Sequence, residues 1–420
     1  MSHTLSSPRP IDPAVHAVAA AASVSAPGVV AATPGASGFV HSTPASRLVL
    51  RDGAIDQVAA ELLLLGARRP LLLCGAHMRR SPAHAQLMAA LQGMVGAEAT
   101  QVVPAHSSVD LVERLAVQAR RDGIDCFIAL GGGSASDTAK AIALLLAEGG
   151  RLADHASHFT PPATLHMPVL QQPKLPIVSI PCTASGAEVT GSLGVRDANG
   201  AKLLFSDLRL ASRVILIDPQ ANLHVPAALM LSTAMNGLAH GFEGLYSTVR
   251  SPIAELLALE SIARFADAMP AVHREPDNAA HRGALLYAAH LSGQVLLNAR
   301  TCLHHAICHA IGAHTGAGHG DANSVMLPHA LAFNAEAAPG ALQRAGHALG
   351  AAPDAPPQES IERLIALRDA VGAPTRLRDI GVPVEALAPI AAKVMGERGL
   401  YFNPRAVSPA DVRRLLDAAY

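Results

Sequence analysis

The stretch CLHHAICHAIGAHTGAGHG, residues 302–320, carries His304, His305, His309, His314 and His319, five of the chain's 21 histidines. Imidazoles at this density can ligate a divalent metal, handle protons near neutral pH, or simply decorate a helix. His305 and His309 stand one helical turn apart, so a helix would put them on one face. Cys302 and Cys308 lie nearby, but no CxxC pair supports a thiolate site.

A second constellation is IALGGGSASDTAK, residues 128–140, in which three glycines link a hydrophobic strand to a helix. Such a turn lets backbone approach a ligand, and the N–H groups at the helix start favour phosphate. Ser134 adds a hydroxyl donor, and Asp137 suits the first helical turn or accepts from a ribose or amide. The structural alternative is a tight turn with an ordinary first-turn acid. PCTASGAEVT, residues 181–190, follows the next strand and offers Thr183, Ser185 and Thr190. GAKLLFSD, residues 200–207, offers Lys202. These read either as a polar turn and hairpin or as the second wall of a dinucleotide cleft.

The elements that must hold these groups follow from periodicity. SRLVL, RPLLLCG, ATQVVPA, CFIALGGG and LPIVSIP read as strands alternating with helical runs such as SVDLVERLAVQARRDG. That alternation predicts an α/β domain with a largely parallel sheet over residues 45–218. After SRVILIDPQ, strand-like runs almost vanish, and alanine- and leucine-rich helical patterns predict an all-α domain over 219–420. Residues 1–44 are Ala-, Pro-, Ser- and Val-rich with only Arg9 and Asp12 charged, which predicts a disordered tail outside the fold.

The totals set the class. The 420 residues suffice for two cores, half of them are hydrophobic, and the net charge is −1 with no basic or acidic block. Nucleic acid and anionic membrane surfaces are not expected partners. No apolar run approaches the roughly 18–20 residues that span a bilayer. The lack of a basic start argues against a targeting peptide. Five cysteines in mostly apolar surroundings read as reduced thiols of a cytoplasmic protein.

GGGSxxDxAK, PxTxxxxEVT, IDP, GLAHGFEGLYS, CHAIGA and LPHALAFN occur in the order found in iron-containing alcohol dehydrogenases. Over about residues 45–420 the chain resembles that family, and within it the maleylacetate reductase branch, down to LHHAICH and NPRAVSPADVRRLL. The resemblance implies a nucleotide-binding α/β domain of the dehydroquinate synthase type, a helical catalytic domain, a cleft between them and a homodimer. It assigns Gly131, Gly132, Gly133, Ser134, Asp137, Thr183 and Lys202 to an NADH or NADPH site. It implies that the partner is a small-molecule substrate.

In metal-dependent members a helix carries Asp and His four residues apart, completed by two later histidines. The matching positions here are Asn236, His240, His305 and His319, with His309 matching a further active-site histidine. An amide brings no charge to offset a cation's burial. The resemblance therefore implies a metal-free site, with His240, His305 and His319 as ligands should a metal bind. The reaction implied is reduction of maleylacetate, or a similar oxo-enoic acid, to 3-oxoadipate in the degradation of aromatic compounds. In this scheme His240 and His305 hold the ketone oxygen, His309 relays the proton and His319 closes the cluster.

Two features depart from that branch. CTASGAEVT lacks the branch's tyrosine-containing form, and GAGHGDANSVMLPH is similar to the metal-dependent members. A metal-dependent alcohol dehydrogenase or aldehyde reductase is thus an alternative, and a non-catalytic dinucleotide-binding paralogue is another. NAD-preferring relatives place an acid where this chain has Gly75, so NADPH is also admitted, with Arg79 or Arg80 near its 2′-phosphate.

Overall fold

The computed structural model describes residues 38–94, 99–160 and 164–420. The predicted tail lies mostly outside the described residues, 1–37 entirely so. Residues 38–44 are described, and they touch the body: Nδ1 of His41 lies 2.8 Å from Oγ of Ser251. Asn298 accepts from the Ser42 amide at 2.6 Å and donates to its carbonyl at 3.1 Å.

The first half is a parallel sheet with both faces covered. Its strands are β1 (Arg47–Leu50), β2 (Pro70–Gly75), β3 (Thr100–Val103), β4 (Cys126–Gly131), β7 (Ile177–Pro181) and β10 (Val214–Ile217), ordered β1-β10-β7-β4-β2-β3. Two antiparallel hairpins interrupt the succession: β5 (His158–Thr160) with β6 (Thr164–His166), and β8 (Ser192–Arg196) with β9 (Lys202–Ser206). Leu72, Cys74, Ile128 and Leu130 enter one core and Leu71, Leu73, Phe127 and Ala129 another, the alternation expected when both faces of a sheet are buried. Helices α1 (Val58–Leu64), α2 (Ala76–Arg79) and α3 (Pro82–Ala90) follow β1 and β2, and α4 (Val109–Arg121) and α5 (Gly133–Glu148) flank β4. The α4 helix shows why such segments fold. Ser108 caps it by accepting from the Leu111 amide, and Leu111, Val112, Leu115, Ala116 and Ala119 form one buried face.

From α6 (Pro219–Asn222) onwards the described chain is helical, as the loss of alternation predicts. The helices are α7 (Ala227–Tyr246), α8 (Pro252–Arg274), α9 (Ala279–Ala299), α10 (Leu303–Thr315), α11 (His319–Asn334), α12 (Pro339–Ala348), α13 (Pro357–Ala370), α14 (Leu387–Val394) and α15 (Pro409–Ala419). Among the described residues no helix is long and apolar enough to cross a membrane.

Glycines let the two halves meet. A Cβ on Gly237 of α7 would stand 2.6 Å from the Ala184 carbonyl oxygen. Gly186 (φ 68°) abuts Gly293 of α9: a Cβ on Gly293 would lie 2.6 Å from the Gly186 oxygen. At both places any side chain would push the helices off the β7 loop.

Candidate active site

Helix α7 presents Asn236, His240 and Glu243 at spacings of four and three, hence on one face. Helix α10 presents His304, His305, Cys308 and His309, and α11 opens with His319. The two faces interlock. Nδ1 of His305 lies 2.6 Å from Oε2 of Glu243, and Nε2 lies 3.0 Å from Oδ1 of Asn236. The His240 ring stacks on His305 at 4.7 Å between centroids, and His319 stacks on His309 at 5.5 Å. His309 in turn stands 3.4 Å from Oε2 of Glu397. His314 is exposed and belongs to the helix surface.

This arrangement governs protonation. The Asn236 oxygen accepts from His305 Nε2–H, so a single proton is shared between His305 Nδ1 and Glu243. Burial raises the Glu243 carboxyl and lowers His305, with the charges of His309 and Lys202 adding to the latter. Both shifts favour an uncharged pair, a carboxylic acid facing a neutral imidazole, over an ion pair. His240 and His319 are pushed well below the ordinary histidine value, and His304 down to about 3, in each case chiefly by burial. His309 is lowered by burial and Lys202, but its Glu397 hydrogen bond pulls the other way. Burial tends to raise Glu397, yet the His309 hydrogen bond and the charges of His309, Lys202 and Arg398 hold it below the usual carboxylate range. His309–Glu397 is thus the histidine–acid pair best able to carry a charge.

The structure brings together the residues expected to face a cofactor. Gly131 has φ 146°, a glycine conformation, and Gly132 caps α5. A Cβ on Gly132 would stand 2.8 Å from the Thr183 methyl, so Thr183 closes over the turn. Asp137 accepts from the Gly194 amide at 3.1 Å, and burial raises its carboxyl against the pull of Lys140 and Lys202. Lys202 is lowered by loss of water, with Asp137 and Glu397 opposing.

A cavity of about 100 Å³ joins the two sides. Ser134, Asp137 and Lys202 line one wall, and His309 and His319 the other, with Arg196 and His106 at its margin. His240, His305 and Asn236 do not line it; they stand behind His309 and His319, 2–7 % exposed. A groove of about 540 Å³ around His329 and Arg376 is larger but holds none of the expected residues.

An NAD(P) group fits the glycine turn, where Thr183, Ser134 and the α5 amides supply donors around a backbone without side chains. A metal fits less as expected. Among the described residues, the histidines and acids whose donor atoms all lie within 4.8 Å of one another are Glu243, His304 and His305, not His240, His305 and His319. That group offers a carboxylate to a cation, which Asn236 does not, so the expectation of a metal-free centre meets a competing donor set. The five cysteines are free and buried, and burial raises the Cys74 thiol to about 11 and Cys182 to about 12, as inert thiols require.

Glu243 and Glu397 escaped the sequence reading. Glu243 was within reach, seven positions after Asn236 and so on its helical face. Glu397 follows no pattern and reaches His309 only through the tertiary fold.

The match to known proteins covers both halves. Residues 45–219 match the iron-containing alcohol dehydrogenase family model, and residues 230–420 match that of the Fe-containing alcohol dehydrogenase C-terminal part. The maleylacetate reductase of Sphingobium indicum is 31% identical over 381 residues, 91% of this chain and 97% of that protein. The crystal structure of maleylacetate reductase from Rhizobium sp. superposes with a TM-score of 0.76 at 29% identity, covering 92% of this chain and 99% of that one. A putative alcohol dehydrogenase of Ralstonia eutropha superposes at 0.77 with 34% identity, covering 92% and 98%. Two family models that together span residues 45–219 and 230–420, with a relative 31% identical over 91% of the chain, lead to one assignment: the chain belongs to the iron-containing alcohol dehydrogenase family.

Proposed function

We propose that the protein is an NADH- or NADPH-dependent reductase of maleylacetate or a closely related oxo-enoic dicarboxylate, giving 3-oxoadipate, and that it works without a metal. The observation that carries this reading is Asn236, a neutral amide bonded to His305 at 3.0 Å, in a chain 31% identical to a maleylacetate reductase.

Gly131–Gly133, Ser134, Asp137, Thr183 and Lys202 hold the dinucleotide, which when bound supplies a hydride. Hydride addition to the alkene carbon remote from the ketone leaves negative charge on the ketone oxygen as an enolate. Imidazole N–H groups at the cavity wall, His309 and His319, stabilise that oxygen, and a proton from His309, replenished through Glu397, completes the reduction. Asn236, His240 and His305 hold this pair from behind, so their role shifts from direct contact to support.

A second reading is a metal-dependent alcohol or aldehyde reductase, favoured by the Glu243, His304 and His305 donor group. Metal analysis of purified protein, paired with NADH and NADPH oxidation on maleylacetate and on simple aldehydes, separates the two. Turnover of maleylacetate that survives chelation supports the first reading. Stoichiometric zinc or iron, with aldehyde reduction lost on chelation, replaces it with the second.

A further inference from the structure

The substrate proposed above carries two carboxylates, and none of the residues expected from the sequence would bind them. Two arginines at the start of α10 and its neighbour meet the need. Arg300 caps α9 with φ 66° and ψ 179°, a backbone region normally reserved for glycine. Arg398 opens a short 3-10 turn, Arg398–Phe402. The turn is pressed onto the loop before α10: a Cβ on Gly399 would stand 2.6 Å from the Cys302 carbonyl oxygen and 3.4 Å from that of Thr301. This close approach brings the Arg398 turn onto the loop that follows Arg300, whose charge bears on Arg398.

Neither guanidinium makes a hydrogen bond or ion pair among the described residues, although both are half-buried. The one acid adjoining them, Glu397, is directed to His309. Burial lowers both arginines, and the charge of Arg300 helps bring Arg398 down to about 10. Two neighbouring, half-buried cations with no acid bonded to either are costly in a resting protein, and a strained backbone holds one of them there. An anionic ligand would relieve both the repulsion and the unmet hydrogen bonds. The position also suits the chemistry, since Glu397 links Arg398 directly to His309 at the cavity wall.

We propose that Arg300 and Arg398 form a clamp for one carboxylate of the substrate, and that this clamp selects dicarboxylates over simple aldehydes. Arg398 follows Glu397, which bonds His309 on the histidine wall of the cavity, so the ligand is the substrate's carboxylate and not a cofactor phosphate. This inference rests on the dicarboxylate reading of the reaction.

Arg300→Gly provides a clean test, because glycine accepts the backbone conformation that arginine strains to keep. Its melting temperature should equal or exceed that of the wild type, while affinity for the unreactive dicarboxylate adipate, measured by calorimetry on the full chain, falls about ten- to hundredfold. Arg398→Gln should act alike, and Arg398→Lys, which keeps the charge, should lose less. Dimethyl adipate should bind the wild type weakly and the variants no worse. Unchanged adipate affinity in Arg300→Gly and Arg398→Gln overturns the clamp even if maleylacetate is reduced. So does a weakening of NADH or NADPH binding in place of adipate binding. If the wild type binds adipate through these arginines but does not reduce maleylacetate, the clamp stands and the reaction assigned above falls.

Discussion

Nδ1 of His305 and Oε2 of Glu243 lie 2.6 Å apart, with neither side chain reaching solvent. On the opposite side of the ring, Asn236 takes the Nε2 proton, so the imidazole is fixed at both nitrogens. Glu243→Leu keeps much of the side chain's volume but removes the acid's donor to Nδ1. Hydrogen bonds of this kind contribute about 2 kcal/mol, so kcat should fall about thirtyfold with little change in KM. Equal kcat in the variant would show that the ring needs no partner at Nδ1.

His309→Ala should slow hydride transfer by about two to four decades in single-turnover measurements, with nucleotide affinity nearly unchanged. His305→Ala should also slow it, by disturbing the stack that supports His309. Because burial lowers both imidazoles, with Glu397 opposing it only at His309, the rate should change little as pH rises from 6.5 to 8.5. It should fall on the acid side, where His305, His319 and His240 begin to charge against one another. A loss on the alkaline side would restore a protonated histidine as the required donor.

Stability should follow the buried histidines with a definite sign. Burial pushes His290 from 6.5 down to about 4. The unfolded chain therefore binds the extra proton first, and the stability present above pH 6.5 is lost as pH falls towards 4, by about 3 kcal/mol for this group. Burial pushes Glu188 up to about 7, and this acts oppositely, removing stability as pH rises from 4.5 to 7. Urea unfolding should show a shallower acid-side decline in His290→Leu and a smaller loss towards neutrality in Glu188→Gln. Parallel curves for wild type and both variants would mean that neither group is shifted.

Gly75 ends β2, and a Cβ there would meet nothing within 4 Å. Gly75→Asp should therefore fold normally and shift preference towards NADH, since a carboxylate binds the ribose diol and repels a 2′-phosphate. Unchanged relative kcat/KM for NADH and NADPH would place the ribose elsewhere.

Much of this fold was legible because both periodicities are strong. Leu71–Cys74 and Phe127–Leu130 form runs that only a sheet buried on both faces can use, and the α4 face repeats at helical spacing. The glycine turn was legible because three glycines between an apolar run and a helical run mark a strand-to-helix turn. The depth ordering of the histidines was not, since His305 and His309 share a helical face and differ only in what stands in front of them. Nor was the Arg300–Arg398 pairing, which joins positions far apart in sequence through a loop contact at Gly399.

The expected boundary of the tail gives another test. Deleting residues 1–37 should leave the melting temperature unchanged, whereas deleting 1–44 removes the His41 and Ser42 hydrogen bonds to Ser251 and Asn298. The longer deletion should cost about 1–3 kcal/mol, because Asn298 loses the Ser42 amide and carbonyl and keeps only the Gln294 carbonyl. Equal stability of the two truncated chains would return residues 38–44 to the tail.

The backbone contact between Gly186 and Gly293 bears on how such a chain can be recombined. One glycine belongs to the sheet half and the other to the helical half, and neither half alone records the constraint. A chimera that takes residues 45–218 from one relative and the remainder from another would inherit two surfaces that were never fitted together. Wherever either parent carries even an alanine at one of these positions, the join would be forced apart at the loop that follows β7. Exchange of halves between relatives should therefore succeed only when these two positions travel as a pair.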